Sequence, residues 1–465
     1  MIEKAGIPTM EVTRGGFTQV VGNAFAGFGF SAEAPTVYEF PIPMFVPGSD
    51  LTPINENIDK IVYGLTKWEP KIKEKGVIAP PEVTVEGKDY AEAVDNMHNL
   101  FLRNMWGDGL AFLPPTEDRV NWILRGTDLP PDTVIGKILP RGGMATVEQT
   151  ASALAMAGGR PEYLSVLLAT VESIVEPESH HEEWQATTNS TYPAIVVSGP
   201  IAKQIRLNSG YGCLGPDPQH PAGGSIGRAL RLILQDQGGA LPGIGTMAVF
   251  GGPMKYTNIV VAEDEEGIPP NWPSLAVERG FPKGSTVVTL FAVNCTNNIG
   301  GGSPTSEEAA RGILGRWGSV MTSCPCSGHA YGRPLNPDGA PGLLLMARGT
   351  AKAMADLGLS KLDVQTGIWE ATKLPWAEVE GSIKMWTDIG YNDPKYAYER
   401  DLMPIGVGPR NMIFAVAGGA QSGHAYWMST HAAITKPISK EIKLPANWDE
   451  LLAQAEEDLG ALPAA

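Results

Sequence analysis

The sequence predicts a multi-layer α/β protein, and three observations predict it. Short β-branched runs at 194–197, 257–262 and 285–293 alternate with helical patterns at 226–237, 305–321 and 347–357. Glycine-rich turns, such as Ser198-Gly199-Pro200 and Gly418-Gly419, follow several runs, as at strand ends that face a ligand. The chain has 465 residues, 43% hydrophobic and 18% charged, which is more than one compact core holds and carries no signature of disorder.

Residues 1–75 read as a partial small α/β domain. Ile7 to Val12 is a strand, Phe17 to Phe28 a helix, and Val37 to Phe45 a strand ending at prolines 41 and 43. Leu51 to Leu65 is a helix, because Ile54, Ile58, Ile61 and Leu65 recur at helical spacing. The piece is Rossmann-like but incomplete: no first strand precedes Glu3-Lys-Ala-Gly-Ile-Pro-Thr, which leaves a sheet edge to be covered. A charged, proline-bearing stretch over 66–88 reads as a connector, with 76–88 the linker proper.

The large domain spans 89–465, and its first part, 90–175, reads as mainly helical. Tyr90 to Asn104 is amphipathic, and Thr116 caps a helix that holds Arg119 to Leu124. Thr146 to Met156 is a further helix, and Pro161 at a first turn opens another through Val175. Beyond His180-His181, strands are expected at 194–197, 246–250, 257–262, 285–293 and 411–417. A final helix runs from Pro445 to Leu459, with Asn447 as its cap. No internal repeat is visible in the sequence.

A net charge of −16 argues against nucleic acid and anionic membrane surfaces as partners, since both demand a basic face. No run reaches the roughly 18 apolar residues of a spanning helix, and the first residues lack the apolar core of a signal peptide. The expectation is a cytoplasmic protein. Four cysteines in so long a chain make no disulfide framework. There is no nucleotide motif: Gly27-Phe-Gly-Phe lacks the acidic ribose partner, and no Walker loop occurs.

The chain is organised around Ile195 to Leu234, a strand, a glycine loop with Cys213 and His220, and a helix beginning near Ser225. A helix N-terminus lowers a nearby thiol pKa, so Cys213 is a candidate nucleophile; the alternative is a small buried cysteine. Arg228 and Arg231 share a helix face, and Arg228 is the candidate anion clamp. Equally, they could pair with the acids at 263–266. Lys255 and Glu263 are candidate acid–base partners, with Glu263 and Glu265 on one side of the chain. Gly199, Gly224, Gly252 and His424 are expected to line the pocket. Cys324, Cys326 and His329 are a candidate soft-metal site for zinc or copper, though without a paired Cys-x-x-Cys.

Several segments carry a resemblance. They include Trp106-Gly-Asp-Gly-Leu with Pro114-Pro-Thr-Glu, Arg160-Pro-Glu-Tyr-Leu, Gln185-Ala-Thr-Thr and Ser198-Gly-Pro-Ile. Gly210-Tyr-Gly-Cys, Ile226-Gly-Arg-Ala-Leu-Arg-Leu-Ile-Leu, Ala262-Glu-Asp-Glu-Glu, Val277-Glu-Arg-Gly-Phe and Ala417-Gly-Gly extend it. From about Glu86 to Asp458 the chain resembles the long C-terminal region of the UGSC-type (seleno)protein family. Residues 2 to about 66 resemble the second half of the small domain that precedes that region. The family's selenocysteine or cysteine motif is absent, and Asn189 stands where a histidine is expected. The resemblance implies thiol or selenol chemistry on a small molecule. It also implies a short cysteine- or selenocysteine-bearing partner subunit that completes the small domain.

The functional expectation is therefore the large subunit of a heteromeric enzyme that acts on a small anionic molecule by thiol-assisted lyase, hydrolase or reductase chemistry. The alternatives are a metalloenzyme using Cys324, Cys326 and His329, and a non-catalytic scaffold for a thiol-bearing partner.

Overall fold

The structure, a computed structural model, describes residues 3, 6–18, 21–22, 25, 30, 37–40, 50–69, 82–323, 339–388, 401–431 and 436–461. Strand β1 (Glu11–Arg14) pairs in parallel with β2 (Val37–Phe40), Glu11 opposite Val37. The first strand thus begins later than its hydrophobic run suggested. The helix expected from Leu51 to Leu65 is two helices, α1 (Thr52–Glu56) and α2 (Ile58–Thr66). Asn57 separates them, its Nδ2 donating to the Pro53 carbonyl at 2.9 Å. Such side-chain bonds compete with the helical ladder. Helix α2 buries only Gly64, and Ile58, Val62 and Leu65 stay about half exposed.

Helix α3 (Tyr90–Asn104) starts at Asp89, which accepts from the Glu92 amide, and α4 (Glu117–Leu124) starts at Thr116. The region is not all helix. A hairpin of β3 (Val134–Ile138) and β4 (Gly143–Thr146) interrupts it, turning through Arg141-Gly142. A capping box between Thr146 and Gln149 opens α5 (Val147–Met156), and Pro161 opens α6 (Pro161–Ile174). Helix α6 is buried on nearly every side, as its all-round apolar composition requires. The short α7 (His181–Ala186) follows, with His181 buried and accepting the Leu139 amide at 3.0 Å.

The main sheet runs in the order β6 (Ile259–Ala262), β5 (Tyr192–Ser198), β7 (Val287–Ile299), β12 (Ala425–Thr430), β8 (Gly342–Met346), β11 (Ile413–Val416), and β13 (Ile438–Glu441) also pairs with β7. It is built from two units of the same topology. In the first, β5 (Tyr192–Ser198) is followed by α8 (Ile201–Gln204), α9 (Ala222–Asp236) and β6 (Ile259–Ala262), parallel to β5. After α10 (Leu275–Glu278), β7 (Val287–Ile299) returns antiparallel on the other edge of β5. After α11 (Glu307–Ser323) the second unit begins with β8 (Gly342–Met346), α12 (Arg348–Asp356) and α13 (Lys361–Ala371). A small excursion holds β9 (Leu374–Pro375), α14 (Trp376–Asp388) and β10 (Leu402–Met403). Then β11 (Ile413–Val416) lies parallel to β8, and β12 (Ala425–Thr430) returns antiparallel on its other edge.

The registers agree as well. Val197 faces Ala262 in the first unit and Met346 faces Val416 in the second. The next amide bonds back in both: Glu263 N–H to the Val197 carbonyl at 2.9 Å, and Ala417 N–H to the Met346 carbonyl at 3.0 Å. Under this equivalence Val293 corresponds to Thr430, and these two residues face each other across β7 and β12. A pseudo-twofold axis therefore passes between them. Strand β13 (Ile438–Glu441) continues the line of β12 along β7, so β12 with β13 is the counterpart of the long β7.

Side chains alternate as strand geometry demands. Ile195, Val197, Val260 and Leu290 pack under α5, α6 and α9, while Leu344, Met346, Phe414 and Trp427 pack under α11, α12 and α13. The opposite face carries Ala194, Val196, Val261 and Phe291 together with Leu343, Leu345 and Ala415, in one core shared by both units. Helix α15 (Trp448–Leu459) adds Trp448 and Leu451 to the first unit's helical core. The strand expected at 246–250 does not form: its amides bond singly to Ala186 and Thr188, and Phe250 is 95% exposed.

Candidate functional site

The carboxyl ends of the two parallel pairs come together at one pole of the sheet. The Asp264 amide, beyond β6, bonds to the Val416 carbonyl at 2.8 Å, and the Gly418 amide, beyond β11, bonds to the Ser209 carbonyl at 2.8 Å. Crevices at strand carboxyl ends are the usual binding places of such sheets. Two clefts adjoin the 213–215 loop, the first of them at this pole. One, of about 500 Å³, is lined by Cys213, Asn298, Ala347, Ala417, Gly418 and His424 among others. The second, of about 690 Å³, lies beside β6 and the start of α9, with Asn208, Asp217, His220, Gly224, Ser225 and Arg228 on its wall. Cys213, Leu214 and Gly215 belong to both.

Cys213 is thus where the two clefts meet. Its thiol is not activated by its surroundings. Helix α9 begins at Ala222, and burial pushes the Cys213 thiol up to about 11, with the Asp264 carboxylate adding to the rise. The lowered thiol pKa expected from a helix N-terminus is overridden by desolvation.

Arg228 lines the second cleft, but its guanidinium is engaged. It donates to both Asp108 oxygens, at 2.9 and 3.1 Å, and to the Ala111 carbonyl at 2.8 Å. The ion-pair alternative describes it, with Asp108 rather than the 263–266 acids as partner. Arg231 is buried and donates to Gln235 and to the Ala240 carbonyl.

Lys255 and Glu263 are not joined by any hydrogen bond or ion pair among the described residues. Lys255 ends a short turn, Pro253–Lys255, and burial, aided by the nearby Arg231 charge, lowers its pKa to about 8. Glu263 is buried, and that burial raises its pKa against the pull of Lys361, Ser198 and the Leu275 amide. Ser198 Oγ donates to it at 2.6 Å and the Leu275 amide at 2.8 Å, so it holds the start of α10. Glu263 and Glu265 do share one side: Glu265 accepts the Gly199 amide at 2.8 Å, beside Ser198. Asp264 binds Arg348 through two bonds, at 2.5 and 2.6 Å, and Glu266 pairs with Lys203 at 2.6 Å. The four-acid run is therefore an array of individually occupied acceptors.

Of the glycines, Gly224 lines the second cleft. Gly199 is structural: its φ is +97°, and a Cβ there would meet the Ser285 carbonyl at 2.4 Å. Gly252 packs near Ser190, away from the lining of both clefts. His424 is exposed on the rim of the first cleft, its backbone held by Thr350 and by the Ala347 amide.

Sequence reasoning singled out His220 only as a loop residue. Its Nδ1 lies 2.6 Å from Asp217, which Asn208 and the Gln219 amide also hold, and the bonds from His220 and the Gln219 amide lower the Asp217 pKa. The Asp-x-x-His spacing was the available signal. Asn298 and Tyr426 reach the first cleft from β7 and β12, strands whose ends no motif marked.

Cys324, Cys326 and His329 lie outside the described residues. Among the described residues no group of three or more His, Cys, Asp or Glu side chains is arranged to hold a metal ion, and no helix is long and apolar enough to cross a membrane. Compared with known proteins, the sequence matches no family model and no curated protein.

Proposed function

We propose that this chain is the large subunit of a heteromeric enzyme acting on a small, anionic molecule by thiol-assisted lyase, hydrolase or reductase chemistry. One observation carries the reading: two clefts, one at the carboxyl ends of β8 and β11 and one beside β6 and the start of α9, converge on Cys213. A thiol held neutral at pH 7 suits proton donation better than attack. The attacking thiolate or selenolate then comes from the partner chain. Among the described residues, the half-exposed Ile58, Val62 and Leu65 of α2 and the two-stranded β1–β2 sheet support a second polypeptide docking at the small domain, because a two-stranded sheet is marginal without further cover.

Native mass spectrometry of the protein purified from its own host tests this. A short cysteine- or selenocysteine-bearing chain in fixed ratio is expected. A stable homo-oligomer that turns over substrate alone sinks the proposal. The scaffold reading is second, and the raised thiol pKa and the occupied Arg228 favour it. Unchanged turnover of the purified complex in Cys213→Ala would support it.

A further inference from the structure

The ionisable side chains on the wall of the second cleft, of about 690 Å³, are Cys213, Asp217, His220 and Arg228. Burial keeps the Cys213 thiol protonated, and Arg228 is held by both oxygens of Asp108. Asp217 is also engaged. Its Oδ2 accepts from Asn208 Nδ2 at 3.0 Å and lies 2.6 Å from His220 Nδ1, and its Oδ1 accepts the Gln219 amide at 2.9 Å. The His220 ring is partly exposed, and its Nε2 has no partner among the described residues.

The local sequence holds this ring in place. Asp217-Pro218-Gln219-His220 is a β-turn closed by the His220 amide on the Asp217 carbonyl at 3.1 Å, with aspartate and proline at the two places such turns favour. Pro216 and Pro221 flank the turn and fix φ on either side. Asn208 ties the carboxylate to the sheet, since its own carbonyl accepts the amide of Ala262, the last residue of β6, at 3.1 Å. Apart from the ring's own bond, the turn is closed by backbone groups and by Asp217, so it needs no imidazole at position 220. What the carboxylate gives the ring is a fixed tautomer. It accepts from Nδ1–H, and Nε2 is left with a lone pair in the neutral ring.

We infer that His220 is the proton acceptor of the second cleft, and that this cleft binds a compact, weakly acidic molecule that enters with its O–H or S–H proton and gives it to Nε2. The ligand's bond to hydrogen breaks, the Nε2–H bond forms, and the electron pair stays on the ligand as an anion. Asp217 is the positioning residue, and its carboxylate balances the imidazolium. Leu207, Leu214 and Ile259 offer apolar contact for the body of the molecule. The one fixed cation on the wall, Arg228, is already matched, so the negative charge arises by proton transfer within the cleft. The inference rests on the reading of a small-molecule enzyme and names its base. With the Cys213 thiol on the same wall, the cleft holds a proton acceptor and a proton donor, the pair that a lyase step uses.

p-Nitrophenol reads the transfer directly, because its phenolate absorbs visible light and the phenol ionises near neutral pH. The full chain is titrated with it in buffer below that ionisation point. p-Nitroanisole, which has no proton to give, is the control and should develop no such band. The wild type should develop a saturable phenolate band, and His220→Gln should show only that of the free probe. Asp217→Asn keeps the size of the side chain and an oxygen for the Gln219 amide but loses the balancing charge. It should form about tenfold less phenolate, the effect of removing one adjacent charge, with Cys213 alkylation in alkaline buffer unchanged as the sign of an intact wall. No band in the wild type, an equal band in His220→Gln, or an undiminished band in Asp217→Asn overturns the inference. Should Asp217→Asn fail to fold, wild-type protein labelled with nitrogen-15 histidine decides. The His220 ring signals, assigned by their absence in His220→Gln, must pass from the neutral to the doubly protonated form with p-nitrophenol and not with p-nitroanisole, and unmoved signals overturn the assignment. Transfer is read without turnover or partner, so its failure is distinct from failure of the enzymatic reading.

Discussion

Cys213 shows how far a residue can be read from its neighbours in sequence. The loop, the single thiol and the following helix were all legible, and the thiol does sit at the meeting of two clefts. Its proton affinity was not legible, because burial by distant Leu and Ala side chains decides it, along with Asp264 from another strand end. Alkylation by iodoacetamide, followed by mass spectrometry at Cys213, should accelerate about tenfold per pH unit from pH 7 to 10, since only the thiolate reacts. A plateau below pH 9 would contradict the raised value. Arg228 teaches the same lesson: its partner Asp108 is far away in sequence, so no local pattern could reveal that the cation is already matched.

Elements were read well where their signals are local. Asp89 precedes α3, Thr116 caps α4, Thr146 caps α5 and Pro161 opens α6, all close to the positions their residue types announced. The β3–β4 hairpin was missed because its runs are short and sit between strong helices. Helix α9 does more than cover the sheet. Arg228, Gln235 and Asp236 on it fasten the 106–111 turn, with Asp236 accepting the Gly107 amide at 2.9 Å and Gln235 Nε2 donating to the Gly107 carbonyl at 2.6 Å. Gly227 lets this helix approach β6, since a Cβ would meet the Thr257 carbonyl at 1.8 Å. Asp108→Ala leaves Arg228 without its anion in a mostly buried place and should cost about 3 kcal/mol in denaturant unfolding, in the range for breaking one side of a buried pair. A loss below about 0.5 kcal/mol would show that the turn is held by Gln235 and Asp236 alone.

At the scale of the molecule, the α/β class was legible and the duplication was not. The two units share topology and register but few side chains: Ser198 matches Ala347 and Glu263 matches Ala417, so no repeat survives in the letters. What persists is alternation of burial, which many sequences satisfy. The shared core binds the halves into one body, since Ala194, Val196 and Phe291 pack in the same cluster as Leu343, Leu345 and Ala415. A fragment ending after β7, residues 89–300, should therefore be insoluble or lack a cooperative thermal transition. A soluble, sharply melting fragment would show that the first unit folds independently of its twin.

The Glu265–Gly199 contact gives the pole of the sheet an internal standard. One half of the molecule finishes that end with its own acid, and at the matching glycine of the other half the Tyr211 ring, lent by the first half's loop, takes the room instead. A shared backbone plan is thus closed by two unlike plugs.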